Sequence, residues 1–148
     1  MSKFEQIKKL REVTGAGVMD CEKALEGSGG DFDKAIRIIN ERGLIKAQSK
    51  SERKTGAGLL ESYVHNGRIG VLLEIRAETD FVVRSESFRA LAHELAMHIS
   101  AMAPEDTESL LRQPFIKDES ITVEDLIKRT VGKIGENIRV EKFCRYEV

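Results

Sequence analysis

Two runs of alternating apolar residues meet at Asn66-Gly67, and this junction constrains the chain more than any other feature. Leu59 to Val64 precedes it and Arg68 to Arg76 follows. Both residues of an Asn-Gly turn tolerate positive φ, which is what the tight turn of a β-hairpin requires. Ile69, Val71, Leu73 and Ile75 fall at every second position, so they line one buried face.

The pattern upstream is helical and punctuated by glycine. Ser2 and Glu5 have capping-box spacing. Phe4, Ile7, Leu10 and Val13 recur every three residues along one stripe. Thr14-Gly15-Ala16-Gly17 allows a sharp reversal. A second helix is expected from about Val18 to Glu26, with Met19, Ala24 and Leu25 inward, ended by Gly27-Ser28-Gly29-Gly30. Asp31 is a good N-cap for a third helix carrying Phe32, Ala35, Ile36 and Ile39, with Gly43 as its stop. Leu44 to Lys54 is polar and locally basic, and reads as a solvated linker or a continuing helix.

Downstream, Ser85 caps a helix from about Glu86 to Met102 whose stripe is Phe88, Leu91, Ala92, Leu95 and Ile99; Pro104 ends it. A short helix over Asp106 to Leu111 precedes Pro114. Thr122 and Asp125 open a helix carrying Val123, Leu126, Ile127, Val131 and Ile134, closed by Gly135. Asn137 to Tyr146 reads as a last strand. The chain is therefore expected to be α+β: a three-helix unit over residues 1–45, a linker over 46–55, and over 56–148 an α+β core whose antiparallel sheet is covered by helices on one side.

Composition narrows the function classes. Of 148 residues, 24 are Lys or Arg and 25 Asp or Glu, for a net charge of -1. That balance, with aromatics at 5% and no Trp, argues against a nucleic-acid-coating protein. No apolar run approaches the ~20 residues of a membrane span. Cys21 and Cys144 form no CxxC and sit near no metal cluster, and with an amphipathic start no signal peptide is expected. A reducing, cytoplasmic setting is expected, with Cys21 as a small buried hydrophobe.

Catalytic-looking patterns fall short. Gly15-x-Gly17 and Gly56-x-Gly58 lack the third glycine of a dinucleotide loop. His93 and His98 are five apart, which turns the second ring roughly 140° from the first, so they do not make a zinc helix, and a surface His at each is expected. Glu78 and Asp80 lack a nucleophile, a third partner and a pocket. No metal, cofactor or catalytic residue is expected.

Glu78-Thr79-Asp80-Phe81-Val82-Val83-Arg84 lies between the last hairpin strand and the long helix. Thr79 or Asp80 could cap a short helix with Phe81 in the core. Equally, an acidic residue beside an exposed Phe on a rigid turn could probe a partner's pocket. The residue pattern leaves both open.

Several longer stretches carry a resemblance. Leu10-Arg11-Glu12-Val13-Thr14-Gly15-Ala16-Gly17-Val18-Met19-Asp20-Cys21-Glu22-Lys23-Ala24-Leu25 resembles the N-terminal signature of the elongation factor Ts family, and Glu78-Thr79-Asp80-Phe81-Val82 resembles its second signature. Gln113-Pro114-Phe115-Ile116-Lys117-Asp118 and Lys133-Ile134-Gly135-Glu136-Asn137-Ile138 resemble its ending, in the expected order. The resemblance implies a ubiquitin-associated-type helical module before an α+β core, and guanine-nucleotide exchange on the GTPase elongation factor Tu. It assigns Thr79, Asp80, Phe81 and Val82 to dislodging Mg²⁺ from that GTPase, and Met19, Asp20 and Lys23 to docking the helical module on it. Two departures stand out. Position 22 is Glu where many members carry a second Lys. The chain also has room for one core half only, with Pro104 to Leu111 abbreviated, which matches short members and implies a homodimer. Cys144 on the last strand could then lie at the dimer contact, although the cytoplasm disfavours a disulfide there.

Two other classes remain in view. A plain adaptor binding ubiquitin-like or helical peptides would have no need of the Thr-Asp-Phe-Val signature. An RNA-binding accessory protein using Lys46 to Lys54 would show a steep salt dependence of RNA affinity.

Overall fold

The computed structural model describes all 148 residues, and they form a mixed α+β fold: N-terminal helices followed by a core built around an antiparallel sheet. Helix α1 (Lys3–Thr14) opens with the capping box, Ser2 Oγ accepting from Glu5 N at 3.2 Å and the Glu5 carboxylate accepting from Ser2 N at 3.2 Å. Gly15 closes it in the left-handed conformation at φ 70°. Helix α2 (Val18–Gly27) and helix α3 (Phe32–Lys50) follow, the latter capped by Asp31. Leu10, Cys21, Ala24, Leu25 and Ala35 make a small core among the three.

Strands β1 (Ala57–His65) and β2 (Ile69–Ala77) form the hairpin, with Asn66 at φ 51° and Gly67 at φ 66° as the turn demands. Helix α4 (Asp80–Val83) is a single turn leading into α5 (Glu86–Met102). Then come α6 (Thr107–Arg112), β3 (Pro114–Phe115), β4 (Asp118–Thr122), α7 (Val123–Ile134) and β5 (Ile138–Glu147). β2 lies between β1 and β5, antiparallel to both, and one extra residue bulges β5 opposite Glu74/Ile75. Val71, Leu73 and Ile75 join Phe88, Leu91, Leu95 and Ile99 of α5 in the main core. The opposite face of the sheet carries Leu60, Val64, Leu72 and Tyr146, all exposed, with the exposed free Cys144 opposite Leu72.

Four expectations need correction. Gly43 does not stop α3, which continues to Lys50 and delivers Ala47 to the main core. The reason lies on α7: a Cβ on Gly132 would fall 2.7 Å from Gly43 Cα and 2.8 Å from its carbonyl oxygen. Gly43 is thus where two helix backbones cross in contact. Phe4 and Val13 are exposed, because a three-residue repeat drifts round a 3.6-residue helix and only Leu10 stays fully covered. Met19 points away from the small core. His98 is fully buried rather than on the surface. Its Nδ1 accepts from Ile116 N at 3.2 Å, its Nε2 meets Gln113 Oε1 at 2.9 Å, and its ring stacks on Phe115. The β3–β4 hairpin that closes over it is too short to leave a periodic signal.

Candidate partner-docking site

The turn after β2 is built from both sides. Thr79 is the N-cap of α4, in extended backbone at φ -131°, and its Oγ1 accepts from Val82 N at 3.3 Å. The same hydroxyl donates to Glu136 Oε2 at 2.7 Å. Glu136 Oε1 accepts from Glu78 N at 3.1 Å and from Thr79 N at 3.0 Å. One carboxylate from the turn after α7 therefore holds three donors of this turn. A carboxyl group can accept through both oxygens, so the three bonds can form at once. On the other flank, Ser85 donates to Val82 O at 2.7 Å and caps α5 by accepting from Phe88 N at 3.3 Å.

Val82 and Val83 are buried in the main core. Between these anchors Asp80 and Phe81 stand out: Asp80 is exposed, and Phe81 is 85% exposed. The two readings left open by the sequence thus each hold in part. Thr79 does cap a short helix, while Phe81 is not core. Of the four residues 79–82, Val82 is buried and Thr79, though exposed, spends its hydroxyl on Val82 N and Glu136, while Asp80 and Phe81 are left for solvent or a partner. No group of three or more His, Cys, Asp or Glu that could hold a metal ion is present.

The second group of expected residues sits on α2. Met19 is 62% exposed beside exposed Val18, and Phe4 and Val13 are exposed on α1. Lys23 is exposed. Asp20 is engaged within the chain, its carboxylate 3.2 Å from Lys46 Nζ on α3. Glu22 binds Lys3 Nζ at 2.8 Å, so the acidic residue at this position has a partner of its own on α1. Cys21, between Asp20 and Glu22, is fully buried, and burial pushes its thiol up from its usual pKa.

The two groups do not share an element. They are joined through α3, which packs along α7, and through the turn that follows α7. There Asn137 donates to the carbonyls of Ser51 at 3.2 Å and Arg53 at 2.8 Å, tying down the segment between α3 and β1. Gly15, in the turn between α1 and α2, lies against the Lys133 side chain, since a Cβ there would sit 3.3 Å from Lys133 Cδ. Sequence reasoning gave no role to Glu136 or Asn137. Glu136 meets its partners 57 and 58 residues away, and no local spacing records that.

Comparison with known proteins bears on the same segments. The sequence pattern of the family described as "Elongation factor TS" matches residues 5–105 and 78–148. A protein named elongation factor Ts from Fervidobacterium nodosum is 38% identical over 190 aligned positions, covering 97% of this chain and 96% of the relative. One of the same name from Rubrobacter xylanophilus is 40% identical over 193 positions, covering 99% of both. A third, from Thermodesulfovibrio yellowstonii, is 39% identical, covering 97% of this chain and 94% of the relative. These aligned stretches are longer than the 148 residues of the chain, so the relatives carry residues inside the match that it lacks.

Proposed function

The chain belongs to the elongation factor Ts family, and from that membership we propose that it is a guanine-nucleotide exchange factor for the translation GTPase elongation factor Tu. It binds the GDP form in the cytoplasm, hastens loss of GDP, and leaves when GTP rebinds. It makes and breaks no bond and uses no cofactor, nucleic acid or membrane.

Phe81 carries the reading. An aromatic ring that is 85% exposed beside two buried valines offers a partner a large apolar surface on a fixed support. Its backbone is already fixed, so little ordering is needed on docking. In a P-loop GTPase, Mg²⁺ and backbone amides neutralise the charge of the bound phosphates. Phe81 wedges against the elements that hold that ion, and Asp80 brings a carboxylate that competes for its shell or steadies the rearranged state. Thr79 and Val82 serve from behind, as cap and anchor. Weakened phosphate contacts release GDP, and by linkage the returning nucleotide weakens exchanger binding by the same factor.

The helical unit over 1–45, read as the ubiquitin-associated type, docks on the GTPase domain through Met19 and Lys23. Asp20 belongs to the same docking group and is paired at the surface with Lys46. Residues 46–55, which begin with the last turn of α3, join that unit to the core over 56–148. The outer face of the sheet, where Leu60, Val64, Leu72 and Tyr146 are exposed beside the Glu74 and Lys142 row, suits a second copy of the chain, giving a homodimer.

The test is release of fluorescent GDP from elongation factor Tu, chased with unlabelled GDP, with the parent and with Phe81→Ala. Strong acceleration by the parent is expected, with at least a roughly tenfold loss in the variant, or ~1.4 kcal/mol. The thermal midpoint of the variant should match the parent. Equal acceleration by both would move the site elsewhere, and none by a folded parent would sink the exchange reading and favour an adaptor.

A further inference from the structure

Glu136 is an acidic side chain spent on another segment's backbone, and the turn it holds is the one that projects Phe81. We propose that Glu136 is a positioning residue for the exchange turn, fixing the pitch of Asp80 and Phe81 without touching the GTPase itself; this rests on the exchange reading above.

The geometry is specific. Oε1 takes the N–H groups of Glu78 and Thr79 at 3.1 and 3.0 Å, and Oε2 takes the Thr79 hydroxyl at 2.7 Å. That last bond sets the rotor of Thr79, so that its oxygen accepts from Val82 N at 3.3 Å. The relay therefore runs from Glu136 through Thr79 into the first turn of α4, the turn that holds Asp80 and Phe81. Four residues form too short a helix to hold its own shape, so its direction is set from outside. Arg53, 3.7 Å from the Glu78 carboxylate, adds a weaker tether. Glu136 itself is oriented by its neighbours: Gly135 ends α7 at φ 85° and Asn137 is buried and bonded to two carbonyls.

Glutamine at 136 is the discriminating change. A Gln carbonyl can still accept the two backbone N–H groups, but its amide nitrogen is a donor and leaves the Thr79 hydroxyl proton without an acceptor. Glu136→Gln should thus loosen the turn partly and Glu136→Ala fully.

Two measurements test this on the whole chain. Amide hydrogen exchange followed by NMR reads the turn without any partner. Glu136→Ala should lose at least roughly tenfold protection at Glu78, Thr79 and Val82, with β2 and α5 unchanged. Unchanged protection at those three amides would overturn the proposal whatever the protein's function. GDP release from elongation factor Tu, titrated with exchanger, reads the consequence. Glu136→Ala should lower the maximal rate while leaving the half-saturating concentration near that of the parent, with Glu136→Gln between. In a Phe81→Ala background the Glu136→Ala change should add little, because its effect acts through that ring. Additive losses, or a full maximal rate in Glu136→Ala, would overturn it while leaving the parent's exchange activity standing. Failure of the parent to exchange would remove the exchange reading, and the amide measurement would still decide whether Glu136 sets the turn.

Discussion

At the scale of single residues, His98 shows how a buried polar group ties stability to pH. Ile116 N donates to Nδ1, so the ring proton sits on Nε2 and is given to Gln113. That is the neutral form, and burial lowers the ring's pKa from its ordinary value, the Gln113 bond offsetting this in part. The unfolded chain therefore takes up a proton that the folded chain resists. Stability from this group is fully present above about pH 6.5 and is lost as pH falls below it, by at most ~1.4 kcal/mol per pH unit. Urea unfolding at pH 7.5 and 5.5 should show the fall in the parent. In His98→Leu the fall should flatten, with lower stability at both pH values because Ile116 N–H and Gln113 lose their partner. This histidine also marks a limit of the sequence. Its spacing from His93 excluded a zinc helix, but its burial depends on Phe115 and Ile116, contributed by a hairpin with no period to read.

Among elements, the crossing of α3 and α7 separates two glycines that look alike in the sequence. Nothing lies within 4 Å of a Cβ built on Gly43, whereas one on Gly132 would overlap the Gly43 backbone. Gly43→Ala should stabilise by up to ~1 kcal/mol through helix propensity. Gly132→Ala should destabilise by ~1–3 kcal/mol, because backbone cannot yield as a side-chain tip can. Urea midpoints of the two variants should therefore move in opposite directions. The helices, the hairpin and the last strand were legible because period, caps and turn residues agree: the capping boxes at Ser2 and Thr122, and Asn66-Gly67, all stand as the sequence suggested. Gly43 misled because a glycine that ends a helix and one that lets another helix approach are the same letter. The candidate docking turn was half legible. Its signature named the residues, but only the fold tells Asp80 and Phe81, which project, from Thr79 and Val82, which are occupied.

For the whole molecule, the sheet has one covered face and one bare one. In the rows across it, Val64, Gly70 and Tyr146 lie together, as do Ser62, Leu72 and Cys144. In the proposed homodimer Leu72 sits at the centre, so Leu72→Glu would place like charges against each other at the two-fold axis. Sedimentation should give a dimer for the parent and a monomer for the variant, and the parent's melting temperature should rise with concentration while the variant's does not. A parent that sediments as a monomer at all concentrations would remove the dimer from the reading. The sequence could not locate this face, because alternation says that a strand has two sides and not which of them meets another chain.

The contact of Gly132 with Gly43 has a mechanical consequence. Most helix pairs rest on a cushion of side chains that can shuffle to absorb strain. Here peptide rests on peptide, with no side chain between the two backbones at Gly43 and Gly132. Changes in the side chains around the crossing can be absorbed by repacking, whereas a single methyl group on Gly132 would have to push one backbone off the other.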